Sequence, residues 1–157
     1  MTGVIARPVV RSLGAAAAVV LATVGLTACT KPVPQVTFQT GSTSTVAAPS
    51  NYCFDLLSHC HSNGHIATVH AKPNSTIFVD VPHDIAVQHW IVTAFNVNGK
   101  TGKSTPIQGA GSVGILHDTH NVRVSVPNGS GAYYLSVAEL RGPIQSGTWT
   151  VFVQISE

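Results

Sequence analysis

The sequence is short of charge, of methionine and of cysteine. Charged residues make up 9% of its 157 positions, and it has one methionine and three cysteines. Six Lys and Arg remain against six Asp and Glu once Arg7 and Arg11 are set aside from the eight basic residues of the whole chain. Nucleic-acid binding needs a basic surface that neutralises phosphates, so this composition argues against it. The single Met1 likewise excludes a methionine-rich copper carrier.

The chain also lacks the motifs of common catalytic sites. It has no Gly-x-Ser-x-Gly element, and the order and context of its Ser, His and Asp residues do not indicate a catalytic triad. Gly102-Lys103-Ser104 fails as a phosphate loop because Val97 occupies the position of the first glycine. We therefore expect no nucleotide, no cofactor and no enzymatic activity. The carboxylates offer no defensible catalytic pair: Asp55, Asp80, Asp84, Asp118 and Glu139.

The N-terminus has the organisation of an exported bacterial lipoprotein. Arg7 and Arg11 precede the uncharged stretch Leu13–Leu26, and Leu26-Thr27-Ala28-Cys29 resembles a lipobox. The apolar stretch is too short and too basic at its start for a comfortable membrane span, which favours a signal peptide. We expect residues 1–28 to be removed and Cys29 to carry palmitate-type acyl chains on the extracytoplasmic face of the cell membrane. The alternative is an uncleaved N-terminal helix with an incidental Cys29.

Cys53 and Cys60 are the other two cysteines, and in an exported protein they can form one disulfide. The rival interpretation is a reduced metal or redox pair. Their separation matches neither Cys-x-x-Cys nor a common zinc spacing, so we favour the disulfide.

Apolar residues in the remaining chain alternate with period two, which predicts strands and no long helix. Residues 29–34 form a short proline-containing tether, and residues 35–157 are expected to form one domain. The pattern predicts an all-β, immunoglobulin-like antiparallel β-sandwich of about seven or eight strands. The segments that carry this pattern are Val36–Phe38, Ile66–Val69, Ile77–Val81, Gln88–Val97, Val122–Val126, Tyr133–Leu140 and Trp149–Ile155.

Two further structural expectations follow. Lys100–Leu116 is rich in glycine and poor in strand-forming residues, so we expect a long exposed connection. Trp90 and Trp149 are expected in the core, with ligand stacking as the alternative.

The chain contains eight histidines, which is more than expected for so weakly charged a sequence. Four lie near the cysteine loop and offer a weak candidate metal site: His59, His61, His65 and His70. Polar loop positions are the simpler explanation for them. His83, His89, His117 and His120 are scattered among turns and strand ends without a known ligand spacing.

Several short blocks together resemble the actinobacterial lipoproteins of domain-of-unknown-function family 2771. The blocks are Pro49-Ser50-Asn51-Tyr52-Cys53 with Cys60, Lys72-Pro73-Asn74-Ser75, Ile77–Pro82, Asp84-Ile85-Ala86 and Trp90-Ile91-Val92. The resemblance implies an anchored extracytoplasmic domain and no particular activity.

Two functional hypotheses remain. The first is a non-catalytic binding or scaffolding module, held to the membrane by its lipid and meeting an envelope protein partner. The second is a lipoprotein that binds zinc or copper through His59 and His61 with His65 or His70.

Overall fold

Alternating apolar residues fold into strands along most of the described chain. The structure is a computed structural model that describes residues 31–108, 110, 113–129 and 131–156, so residues 1–28 and Cys29 lie outside the described residues. None of the described residues forms a helix with the length and hydrophobicity needed to cross a membrane. The helix α1 is His83–Ala86, and the strands are β1 Val36–Thr40, β2 Thr43–Ala47, β3 Asn51–Asp55, β4 Ser58–His61, β5 Ala67–Ala71, β6 Thr76–Asp80, β7 His89–Val97, β8 Ser104–Pro106, β9 Val113–Leu116, β10 Asn121–Ser125, β11 Gly131–Arg141 and β12 Ile144–Ile155.

The strands form two sheets, which confirms the predicted all-β sandwich. The four-stranded sheet has the order β10-β6-β1-β2. The eight-stranded sheet has the order β4-β3-β12-β11-β7-β8, with β5 paired to β12 and β9 paired to β7. Pairing is antiparallel except between β5 and β12.

The described residues contain more strands than the seven or eight that we predicted. Two of the additional strands, β8 and β9, lie within Lys100–Leu116, where we predicted only a long exposed connection. Most of the described residues there are exposed, but the segment also contains these two paired strands. All three residues of β8 are exposed, and the strand is held by its pairing with the end of β7. Such strands gain stability from ladder hydrogen bonds with a neighbour rather than from burial, and hydrophobic alternation does not reveal them.

The core lies between the two sheets and contains both tryptophans. Trp90 and Trp149 are fully buried, which confirms their predicted place. Alternate residues of β6 and β12 face inward beside them, including Ile77, Val79 and Val151, whereas Asp80 is exposed as its alternation predicts. The period-two pattern thus identified the inner face of each long strand.

The strand registers define two ends of this sandwich. At the near end, β1 begins at Val36, β6 finishes at Asp80 opposite Thr37, and β7 begins at His89. The β11–β12 turn is also at the near end, because Leu140 pairs with His89. At the far end lie the β1–β2 turn and the last residues of β5 and β12, linked by a hydrogen bond from the Thr40 hydroxyl to the His70 carbonyl at 2.9 Å.

A disulfide closes the hairpin formed by β3 and β4. Cys53 and Cys60 are opposite each other with their Cα atoms 3.9 Å apart, and their sulfurs are bonded. The structure therefore contains the predicted cystine. By the loop-entropy model, a ring of this size contributes about 2.5 kcal/mol to the free energy of unfolding.

Trp149 fixes the position at which the chain joins the core. Its indole Nε1 donates a 2.9 Å hydrogen bond to the carbonyl of Pro34, a residue that the sequence analysis assigned to the tether. The Trp149 and Tyr52 ring centroids are 5.7 Å apart. The start of the domain, the core and the disulfide hairpin are therefore all in contact with the buried indole of Trp149.

Gly147 provides the space that this indole occupies. A Cβ at this position would lie 2.6 Å from Cη2 of Trp149 and 2.9 Å from Cδ2 of Tyr52. The preceding residue Ser146 is an extra residue in β12, because Glu139 pairs with Gly147 while Leu140 pairs with Gln145. This β-bulge and its glycine leave room for two large rings to pack against the strand.

We expect Gly147→Ala to lower the free energy of unfolding by about 1–3 kcal/mol, because the added methyl group overpacks the Trp149–Tyr52 contact. Urea unfolding followed by tryptophan fluorescence measures this change. Gly114→Ala is the matched control, since a Cβ there meets no atom within 4 Å. Equal stability of the two variants would contradict this packing account.

Candidate functional site

A polar cavity opens at the far end of the sandwich. Its volume is about 460 Å³, within the size range of small-molecule sites. It lies between the β1–β2 turn, the end of β5 and the end of β12. The residues that line it are Thr40, Gly41, Ser42, Thr43, His70, Ala71, Lys72, Ser75 and Ser156.

Hydrogen bonds fix part of the cavity wall. The Thr40 hydroxyl donates to the His70 carbonyl at 2.9 Å, and the Ser75 hydroxyl donates to the Lys72 carbonyl at 2.6 Å. The backbone N–H of Ser156 donates to the Ala71 carbonyl at 3.1 Å. Each bonded hydroxyl keeps oxygen lone pairs that can accept from a ligand. The hairpin turn, β5 and the C-terminal strand are thereby held together around the opening.

Lys72 and His70 give the cavity its electrostatic character. Lys72 is exposed, and among the described residues no carboxylate forms an ion pair with it. The other polar lining groups are hydroxyls. An ammonium group, an imidazole and several hydroxyls suit a small anionic or polyhydroxylated ligand.

The near end of the sandwich carries four histidines that the sequence analysis treated as scattered. His83 and His120 stack with their ring centroids 5.8 Å apart, and the rings of His89 and His117 are 4.8 Å apart. His83 of α1 and His89, the first residue of β7, each lie beside a histidine of the β9–β10 connection. Nothing in the spacing along the chain indicates this pairing, because it depends on two connections meeting in space.

The β9–β10 connection is fastened to the body of the domain by backbone contacts. Trp90 Nε1 donates to the Thr119 carbonyl at 3.0 Å, and the backbone N–H of Val81 donates to the His120 carbonyl at 2.8 Å. Nδ1 of His120 lies 3.3 Å from the Val81 carbonyl oxygen. These hydrogen bonds therefore hold in place the backbone that carries the histidine pairs.

The four histidines of the candidate metal site are distributed over the molecule. On β4, Nδ1 of His59 contacts the Asp55 carboxylate at 2.7 Å, and the His61 ring packs edge-on against Phe54. His65 follows Asn63 in the connection to β5, and His70 lines the far-end cavity. Within the described ranges, no three His, Cys, Asp or Glu side chains are grouped closely enough to hold a metal ion.

Asp55 lies beside the turn of the disulfide hairpin, with its carboxylate in contact with His59. Hydrogen bonds from His59 and Ser58 lower the pKa of its carboxyl group from its usual range, although the side chain is exposed. Asp55 thus remains charged at the tip of the disulfide hairpin.

Glu139 is a completely buried carboxylate next to the bulge in β12. Nε of Arg141 donates to its Oε1 at 2.8 Å, while Oε2 is buried without a hydrogen-bond partner in the described structure. Arg141 also donates to the carbonyl of Phe54 at 2.8 Å and to the Tyr52 hydroxyl at 3.3 Å. Partial burial opposes the charge on Arg141, but Glu139 and Tyr52 outweigh it and raise the pKa of the guanidinium.

This ion pair connects β11 to the disulfide hairpin. The sequence analysis considered Glu139 only as a carboxylate without a catalytic partner, and it gave no signal for the ion pair with Arg141 two residues later. Glu139 and Arg141 lie on the same face of a strand, where an i, i+2 pair can meet. The residues opposite Glu139 are Gly147 and Trp90, neither of which is a carboxylate, so the arrangement favours a structural role.

We expect Arg141→Met to lower the free energy of unfolding by about 3 kcal/mol, because it leaves the buried Glu139 charge unpaired. The double variant Glu139→Gln with Arg141→Met should recover most of this loss. Arg123→Met serves as the control: the exposed Arg123 lies over the Phe78 ring, 5.1 Å from its centroid, and its loss should cost less than about 1 kcal/mol. Urea unfolding measures all three. A fully stable Arg141→Met protein would show that the pair does not hold the hairpin.

Comparison with known proteins identifies the family and leaves the activity open. No curated protein and no solved structure matches the chain. A family model described as "Protein of unknown function (DUF2771)" matches residues 30–144, which include the disulfide hairpin and most of both sheets. The chain belongs to this family of proteins of unknown function, DUF2771.

Proposed function

We propose that this protein is a lipid-anchored extracytoplasmic binding module that holds its far-end cavity away from the membrane for a small anionic or polyhydroxylated ligand. The observation that carries the proposal is the separation of the two ends of the sandwich. The chain joins the domain at the near end, at Pro34, and the cavity opens at the far end.

The anchor part of the proposal is supported by the sequence before Pro34. Leu26-Thr27-Ala28-Cys29 provides the lipobox cysteine, and five residue steps separate Cys29 from Pro34. Fully extended, these steps span about 17 Å. An acylated Cys29 would therefore hold the near end close to the bilayer, and two or three acyl chains provide stable anchoring.

Two properties of the folded domain agree with an exported protein. The cystine Cys53–Cys60 is of a kind that persists in oxidising compartments. The six basic and six acidic residues that follow the signal peptide leave no polybasic surface, so the proposed membrane attachment depends on the lipid.

The ligand class follows from the cavity lining. Lys72 supplies a positive charge without an internal counter-ion among the described residues, and Ser42 and Thr43 supply hydroxyl donors. Phosphate and carboxylate groups accept hydrogen bonds from both kinds of donor. Zinc or copper binding is not part of the proposal, because His59 lies on the hairpin and His70 lies at the far end.

Cys29→Ser tests the anchor. We expect the wild-type protein to incorporate labelled palmitate and to sediment with membranes, and the variant to lose both properties because no thiol remains to acylate. Thr30→Ser is the matched control and should behave like the wild type. A Cys29→Ser protein that stays in the membrane fraction to the same extent would refute the lipid anchor.

Lys72→Met tests the cavity. With inorganic phosphate and glucose 6-phosphate as probes, we expect backbone amide NMR shifts in residues 40–43 and 70–72, and about tenfold weaker binding in the variant, because one charge-assisted hydrogen bond is lost. Lys100→Met removes an exposed charge that does not line the cavity and should bind as the wild type does. If neither probe shifts these amides, the assignment of this ligand class is wrong.

A further inference from the structure

The tip of the disulfide hairpin exposes two leucines. Asp55 pairs with Ser58, which leaves Leu56 and Leu57 as the two turn residues. Leu56 is 47% exposed and Leu57 is 78% exposed. Two-residue hairpin turns usually contain Asn, Asp or Gly, so an apolar pair at this position has no local structural reason.

The hairpin holds these leucines on a stiff support. The Cys53–Cys60 disulfide ties its two strands together, and Arg141 at the end of β11 donates to the Phe54 carbonyl at 2.8 Å. The Tyr52 and Phe54 rings pack edge to face with centroids 5.2 Å apart. A rigid support lowers the entropy cost of placing the tip against a partner.

The tip lies at the near end of the sandwich. Tyr52 pairs with Gly147 and β3 runs antiparallel to β12, so β3 leads from Tyr52 towards the β11–β12 turn. The four turns at the far end present polar residues instead: Gly41-Ser42, Lys72–Ser75, Asn98–Lys103 and Pro127–Gly129. The exposed leucine turn is thus on the side where the chain joins the domain.

The hairpin and the tether have comparable reach. The extended part of β3 from Tyr52 to Asp55 spans about 10 Å, and the Leu56-Leu57 turn lies beyond it. Tyr52 contacts Trp149, whose Nε1 binds the Pro34 carbonyl, and the steps from Pro34 back to Cys29 span at most about 17 Å. A bilayer that holds an acylated Cys29 is therefore within reach of Leu57.

We propose that Leu56 and Leu57 insert into the outer surface of the bilayer to which Cys29 is anchored, as a second point of attachment. This inference rests on the proposed lipid anchor. Two attachments would fix the orientation of the sandwich, with its far-end cavity pointing away from the membrane. A bilayer is favoured over a protein partner because the short tether places lipid, and not a particular protein, next to the tip in every molecule.

The charges near the tip determine which lipid the vesicles in the test should contain. Asp55 carries a negative charge in contact with His59 at 2.7 Å, and Asp80 is exposed at the same end. Anionic lipids would be repelled by these carboxylates, whereas apolar insertion does not need them. Vesicles of phosphatidylcholine therefore test the leucines without this repulsion.

Tryptophan fluorescence in brominated vesicles tests the proposal. The acylated protein is purified from membranes and reconstituted in phosphatidylcholine vesicles with brominated acyl chains, as wild type, Leu57→Trp and Ser42→Trp. Ser42 is an exposed turn residue at the far end and provides the matched control. The native Trp90 and Trp149 are fully buried and provide a background that the wild type measures.

We expect quenching of the introduced indole by about half or more in Leu57→Trp, since interfacial side chains lie roughly 5–10 Å into the headgroup and acyl boundary. Ser42→Trp should show none. If the protein floats with the vesicles but Leu57→Trp is not quenched, the anchor stands and the insertion is refuted, and cross-linking of the tip to a protein in cells would then assign it to that partner. Equal quenching at both positions refutes the proposed orientation. A protein that does not float refutes the anchor and, with it, this inference.

Discussion

The buried indole of Trp149 is the contact on which the arrangement of this domain depends. It fills the space left by Gly147, packs against Tyr52 and donates a hydrogen bond to the Pro34 carbonyl. One side chain thus joins the start of the domain, the last strand of the sandwich and the disulfide hairpin. Removing the fit between this ring and its glycine would loosen the packing at all three.

This contact joins the start of the domain to the near end of the sandwich, which the strand registers distinguish from the far end. The near end carries the start of the domain, the leucine tip of the hairpin and the paired histidines. The far end carries a cavity of about 460 Å³ lined by hydroxyls, Lys72 and His70. If a lipid is attached shortly before Pro34, the near end would face the membrane. The polar cavity at the far end would then point away from the membrane. The Glu139–Arg141 pair supports the same geometry by holding the hairpin against β11.

The sequence predicts the fold more completely than the candidate site. Alternation in long strands such as Trp149–Ile155 and Ile77–Val81 identifies their inner faces, because burial on one face imposes a period of two. The short strand β8 escapes this reasoning because all its residues are exposed. The cavity and the histidine pairs could not be predicted from alternation for another reason. Non-local strand pairing brings His70 to the β1–β2 turn and His89 to His117, and spacing along the chain does not indicate such contacts. The exposed Leu56-Leu57 turn is visible in the sequence, but the end of the sandwich on which it lies is not.

The proposed function rests on one chemical event outside the described residues, the acylation of Cys29 after removal of residues 1–28. The folded domain supplies what such an anchor needs: an attachment point at one end and a polar surface at the other. Mass spectrometry of the protein extracted from its native membrane tests this claim most directly. Our account predicts a chain that begins at an acylated Cys29 and contains an oxidised Cys53–Cys60 pair. An intact precursor without acyl groups and with free thiols would contradict it.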